Sequence, residues 1–275
     1  MIELEFKPVQ VHSVMMNTAG MYVEYKPVEI LRRYIYCYWV SYRHNNIELN
    51  IEHSSKNEMI APDGCIDVLI GADVDGDVIR NIIVGTVDKP LFVDMEYEKI
   101  HTFGIRFLPG GLQAFIRESA CLFTNRIESL KDVCSIMNNE LGNKILSSRN
   151  IKDIIDITNR YFIKKFSNDI PWEDTFQNAL HLICKTKGSM SVKEIARKEA
   201  VSEKQLTRIF YERTGVSTKL FTRIIRFQNI LSIINNRHDI KLVDIAMKNG
   251  YYDQAHLIHD FKDFCGKTPS EYMME

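Results

Sequence analysis

The spacing of hydrophobic residues changes along this chain, and the change divides it. In "YIYCYWVSY" (34–42), Tyr34, Tyr36, Tyr38, Val40 and Tyr42 alternate with Ile35, Cys37, Trp39 and Ser41, the period of two that sends successive side chains to opposite faces of a strand. Shorter apolar runs follow: "CIDVLI", "VIRNIIVGTV" and "HTFGIRFL". The turn signals "PDG" (62–64), "ADVDGD" (72–77) and "DKP" (88–90) separate them. This pattern predicts a β-rich region up to about residue 108, folded as a sandwich or small barrel.

Past "PGG" (109–111) the period lengthens. Ile127, Leu130, Val133, Cys134, Met137 and Leu141 recur at steps of three and four, as do Ile151, Ile154, Ile155, Thr158 and Phe162. These stripes predict helices over about 112–166, which either cover the sheet or pair two chains. "SNDIP" (167–171) reads as a hinge, because Pro171 disfavours helix in the residue before it and suits a first helical position. The expected fold class is therefore α+β in two domains. Residues 1–166 would form a β-rich, cupin-like or related domain with flanking helices, and 171–275 an all-α domain.

The C-terminal part repeats itself. A shift of 51 residues lays Leu206 on Leu257, Phe210 on Phe261, Gly215 on Gly266, Ser217 on Thr268 and Phe221 on Tyr272. Upstream the offset is 50, with Ile195–Ala196 on Ile245–Ala246 and Ala200 on Gly250, so Tyr252 is the one extra residue. Each copy reads as helix, tight turn, helix. Ser191 with Glu194 and Ser202 with Gln205 have the spacing of capping boxes, Asp253 suits an N-cap, and Gly250 suits the left-handed turn. Between the copies, Leu220, Ile224, Phe227, Leu231 and Ile234 mark one long helix. At about 20 residues it spans ~30 Å, close to the ~34 Å between successive major-groove faces on one side of DNA.

Outward positions of the two second helices carry the candidate chemistry. Glu203, Lys204, Thr207, Arg208 and Tyr211 form one face; Gln254, Ala255, Ile258, His259 and Lys262 form its counterpart. A helix in a major groove reads base edges with polar side chains and touches thymine methyls with apolar ones. Lys204, Thr207 and Arg208, and then Gln254, Ala255, Ile258 and His259, are the candidates for base readout. Arg213, Lys219, Arg223, Arg226, Lys262 and Lys267 are the candidates for phosphate contact, which gives affinity without sequence information.

Composition narrows the classes. The apolar fraction of 45% and charged fraction of 26% are those of a globular chain. No run of about 18 apolar residues occurs, and Glu3 and Glu5 stand where a signal peptide needs basic residues, so the expectation is a cytoplasmic protein without a membrane partner. Residues 171–275 hold 16 Lys+Arg against 13 Asp+Glu, a net of +3, within a chain of net charge −1. The six cysteines show no C-x-x-C pair and the histidines no ligand spacing, so neither a metal nor a cofactor is expected.

"IARKEAVSEKQLTRIFYERTGVSTKLF" together with "IAMKNGYYDQAHLIHDFKDFCGKTPSEY" closely resembles the paired helix-turn-helix DNA-binding domain of AraC/XylS-type bacterial transcription regulators. The likeness runs from about Leu182 to Tyr272 and is most specific at Gly250, Tyr251, Asp253, Phe261, Lys262, Gly266, Thr268, Pro269 and Tyr272. It implies recognition helices starting at Ser202 and Asp253, with Arg226 on an Arg frequent in the linker helix. His259 departs from the Arg common there, Ala255 from Ser, Ala200 from Gly and Thr218 from Pro. "APDGCIDVLI" and "FLPGG" also resemble a sensor domain found fused to this unit.

The resemblance implies a non-enzymatic transcription activator with double-stranded DNA and RNA polymerase as partners, and with a small effector or a second copy of the chain as further candidates. Tyr34, Tyr36, Tyr38 and Trp39 are the candidate effector residues, against the plainer reading that alternating aromatics are core. Two alternatives stand beside this. One is control by dimerisation or a protein partner through 112–166 with no small effector. The other is cysteine-dependent methyl acceptance at Cys65, which otherwise begins a buried strand after the Asp63–Gly64 turn.

Overall fold

The computed structural model describes residues 6–10, 22–41, 57–73, 79–94, 102–148, 150–166, 173–236 and 241–274. The hinge expected at 167–171, and His12, Tyr42, His44, His53 and His101, lie outside the described residues.

The N-terminal domain contains β1 (Tyr22–Tyr25), β2 (Ile35–Ser41), β3 (Asn57–Ile60), β4 (Ile66–Asp73), β5 (Ile79–Val84), β6 (Leu91–Asp94), β7 (Thr102–Phe107) and β8 (Ile127–Ser129). Six of them form an antiparallel sheet in the order β1-β2-β7-β4-β5-β8, while β3 and β6 pair as a separate ribbon. The four strands of three or four residues were too short for an alternation to show. Ile127, assigned by spacing to a helical stripe, instead pairs with Val84 as the edge of the sheet. Short helical turns over 130–147 follow, and then α1 (Ile151–Lys165).

The helical stripes cover the sheet. Leu130, Met137, Leu141, Ile145 and Phe162 share one buried core with Tyr38, Val68, Ile83, Ile105 and Phe107. Asn159 of α1 is buried there and accepts hydrogen bonds from the Tyr38 hydroxyl at 3.0 Å and the Val28 N–H at 3.3 Å, which satisfies the polar atoms that helix and sheet bury together.

The C-terminal domain comprises α2 (Glu173–Lys185), α3 (Val192–Lys198), α4 (Glu203–Thr214), α5 (Thr218–Asn236), α6 (Leu242–Lys248), α7 (Gln254–Cys265) and α8 (Pro269–Tyr272). Helix α5 buries Phe221, Ile225, Gln228 and Ile230 as well as the expected Ile224, Phe227, Leu231 and Ile234. It is enclosed on several faces because it contacts both helical units and the N-terminal domain. Phe6, Ala61, Cys65 and Leu108 from that domain join the C-terminal core.

Two turns make this junction. Gly64, in "PDG", has φ +78°, and a Cβ there would lie 2.7 Å from the Phe221 ring. Gly110, in "PGG", has φ +74° and would meet Phe176 of α2 at 2.4 Å. Only glycine permits both the backbone and the approach. Gln228, 2% exposed, donates to Pro62 O at 2.8 Å and Val9 O at 3.2 Å and accepts from Val9 N at 2.8 Å.

Candidate nucleic-acid interface

Each helical pair is set by local chemistry. Ser191 and Glu194 form the reciprocal capping box that starts α3. Ser202 accepts from Gln205 N at 3.1 Å, but the return bond is not made among the described residues, so the box expected there is half formed. Asp253 caps α7 by accepting from His256 N at 2.8 Å. Between helices the chain turns through left-handed residues at equivalent places, Ala200 with φ 53° and Gly250 with φ 77°. Leu206, Ile209 and Phe210, like Leu257, Phe261 and Phe264, point into the common core.

That orientation leaves a polar face on each second helix. On α4, Lys204 and Arg208 are exposed and Thr207 half-buried; on α7, Ala255 and His259 are exposed and Gln254 and Ile258 half-buried. The C-terminal end of α4 is held by the N-terminal domain: Ser119 Oγ donates to Glu212 O at 3.1 Å and Thr124 Oγ1 to Gly215 O at 3.0 Å. Pro90 and Phe92 stand over Gly266, the repeat equivalent of Gly215. The sheet domain is thus seated behind both second helices, at the ends away from Ser202 and Asp253.

Residues 195–275 match a family described as a helix-turn-helix domain. That stretch, which holds both helical pairs from Ile195 onward, is a helix-turn-helix domain. Residues 23–129 match a family described as a domain of unknown function (DUF6597). The chain is also similar to three solved structures. The C-terminal domain of AraT, a response regulator from Geobacillus stearothermophilus, is 22% identical over 39% of this chain and 88% of that one, with a TM-score of 0.35. ToxT from Vibrio cholerae, solved bound to (E)-4-(8-methylnaphthalen-1-yl)but-3-enoic acid, is 13% identical over 80% and 95%, with a TM-score of 0.43. CdpR from Pseudomonas aeruginosa is 14% identical over 64% and 45%, with a TM-score of 0.33. No curated protein matches the chain.

Within the helix-turn-helix domain, the six cations nominated for phosphate divide into two groups. Lys219, Lys262 and Lys267 are exposed. Arg213 is buried, ion-paired with Glu173 of α2, and stacked 5.2 Å over Phe176. Its assignment to phosphate is corrected: the guanidinium is enclosed where α2 meets the sheet domain. Burial lowers its pKa and Glu173 acts against that fall.

Arg223 is also committed. Its Nη2 donates to Asp260 Oδ1 at 2.8 Å and to Asp263 Oδ2 at 2.9 Å, and its guanidinium lies 5.0 Å from the Phe264 ring centroid. Arg226 donates to Gly250 O at 3.0 Å and stacks 5.2 Å over Tyr251, tying α5 to the turn of the second unit. Asp260, 2% exposed, is the residue that sequence reasoning missed. Its signal was present: the 51-residue shift lays Asp260 on Ile209, which is core, so a carboxylate occupies an apolar position and takes arginine with it. His259, Asp260 and Asp263 also bring three donors within 4.8 Å, but Arg223, which binds both carboxylates, and Arg226, 4.0 Å from Asp260, already supply two positive charges there.

The aromatic effector set does not converge. The register shifts between Ile35 and Cys37, and the simple alternation fails there. Tyr34 and Tyr38 enter the sheet–helix core, Tyr36 packs toward the C-terminal domain, and Trp39 packs with Leu69, Ile82 and Val84 on the other face while donating to Asp67 Oδ1 at 3.2 Å. The expectation of one aromatic pocket from these four is corrected.

Cys65 is buried, and burial pushes its thiol well above the usual range. The thiolate needed for nucleophilic chemistry is disfavoured. Nearby Asp67 binds Arg106 at 2.9 Å, and Asp63 accepts from Gln10 Nε2 at 2.7 Å and Cys65 N at 2.8 Å, so these carboxylates are occupied within the fold.

Proposed function

We propose that the protein is a sequence-specific double-stranded-DNA-binding transcription activator. The helices starting at Ser202 and Asp253 read two adjacent major-groove segments, with Lys204, Thr207 and Arg208 making polar contacts at the first and Gln254, Ala255, Ile258 and His259 mixed contacts at the second. The observation that carries this reading is that both faces remain open to solvent while the other ends of the same helices are held by the N-terminal domain. RNA polymerase is the partner an activator requires, and the cytoplasm the compartment. The domain division at 1–166 and 171–275 belongs to the same proposal, supported by the separate sheet–helix core of the first part.

Modulation through the N-terminal domain is supported by the contacts of Gln228, Ser119 and Thr124. The dispersal of Tyr34, Tyr36, Tyr38 and Trp39 favours control through a protein interface, a second copy included, over an aromatic effector held by those four. Arg208→Ala tests the first face. In mobility-shift titrations against a sequence selected from random duplexes, it should cost about 1–3 kcal/mol and relax preference at one or two base pairs. Unchanged affinity and preference at several salt concentrations would refute the assignment.

A further inference from the structure

A cleft of about 400 Å³ opens at the seam between the two helical units, lined by the 188–193 loop with Glu203, Lys219, Thr222 and Arg226. It is built by close approach from both sides. A Cβ at Gly188 would meet Thr222 O at 2.2 Å, and one at Gly250 of the second unit would meet Ser189 Cβ at 2.7 Å, so the two units touch beside it.

We propose that this cleft seats a backbone phosphate of the DNA strand crossing between the two grooves. This inference rests on the DNA-reading function proposed above and adds a site to it. Lys193, Lys219 and Arg226 line it with one carboxylate, Glu203; Arg226 also lies 4.0 Å from Asp260 Oδ2, so the two lysines supply the unbalanced charge. Lys193 and Lys219 are exposed and form no ion pair among the described residues, in contrast to Arg213 and Arg223, whose charges are balanced internally. Arg226 is anchored through Nη1 to Gly250 O, while its Nε is buried without a partner.

Location points the same way. Glu203 opens α4 and adjoins Lys204, so the cleft borders the first reading face on the side of the second unit. A duplex entered at two successive major grooves presents the phosphates of the intervening minor groove between the two helices. Seven of the ten lining residues are polar or charged, and Met190 and Val192 are the apolar side chains among them. A phosphodiester would find ammonium groups and the Thr222 and serine hydroxyls of the rim.

The experiment measures full-chain binding to a selected duplex at several salt concentrations, with neutral methylphosphonates placed singly at each internal position. Wild type should lose several-fold affinity at one or two positions between the half-sites. The Lys193→Gln/Lys219→Gln variant should show no loss there, should flatten the salt slope by about 0.9 per phosphate contact removed, and should keep its base preference and melting temperature. Lys152→Gln on α1 serves as the control.

A variant that retains both the wild-type slope and the methylphosphonate penalty overturns the site. So does inorganic phosphate that raises the wild-type melting temperature through these lysines while DNA binding ignores them, because the cleft would then serve a free anion. Absence of any sequence preference in wild type is a different failure, that of the DNA-reading function itself.

Discussion

Replacing Gln228 by alanine deletes three hydrogen bonds at the junction of the domains, those to Pro62 O, Val9 O and Val9 N. Each bond is worth about 1 kcal/mol net, and a donor left buried without a partner costs about 1–3 kcal/mol. Val9 is only half-buried, so water reaches part of what is exposed, and the expected loss is about 2–3 kcal/mol. For a chain of this size each kcal/mol lowers the melting temperature by about 2–4 °C, which gives a fall of about 4–12 °C.

Gln228→Glu should be worse. It substitutes an acceptor where the native amide donates to two carbonyls, leaving like partial charges face to face. Differential scanning calorimetry, with urea unfolding to check that one transition is being followed, measures both variants. A shift below about 1 °C for alanine, or a glutamate variant as stable as wild type, would refute the claim that this side chain joins the domains.

Two further effects follow from the same geometry. Gly64→Ala should cost about 1–2 kcal/mol for the left-handed backbone alone, with an added penalty from the Phe221 overlap; Phe221→Leu in the same chain should relieve only that added part, and full additivity in thermal melts would contradict it. Glu194 and Glu271 have pKa values lowered from 4.5, the first chiefly by the Ser191 hydroxyl and the second by the Thr268 N–H. A lowered folded value means their stabilisation is present above about pH 4.5 and is lost as pH falls through the folded values. Hydrogen-exchange protection at the starts of α3 and α8, taken relative to the intrinsic rate at each pH, should therefore fall in acid, and a Glu194→Gln/Glu271→Gln chain with the wild-type acid profile would argue against it.

Much of the C-terminal domain could be read from spacing, because its features are local. A capping serine three residues before a glutamate, apolar residues every three or four, and a turn in the left-handed region each act within about one helical turn. The 51-residue repeat then identified the two outward faces, since equivalent helices bury equivalent sides. The N-terminal domain was legible in class only. Strands of three or four residues have no measurable period, and the bulge in β2 separated tyrosines that simple alternation had grouped.

The chain's own order of residues determined that two helical pairs exist, where each begins, and that Lys204 and Arg208 lie opposite the core. Tertiary structure alone decided which cations remain available. Arg213, Arg223 and Lys219 look alike as letters, but ionic pairing depends on what packs within about 4 Å, and Glu173, Asp260 and Asp263 are brought there from residues 37 to 40 positions away. The same holds for the junction, where Phe221 and Gln228 face Gly64 and Pro62 across more than 150 residues of chain. Contacts so distant in sequence leave no periodic trace, because their partners are chosen by the packing of whole domains.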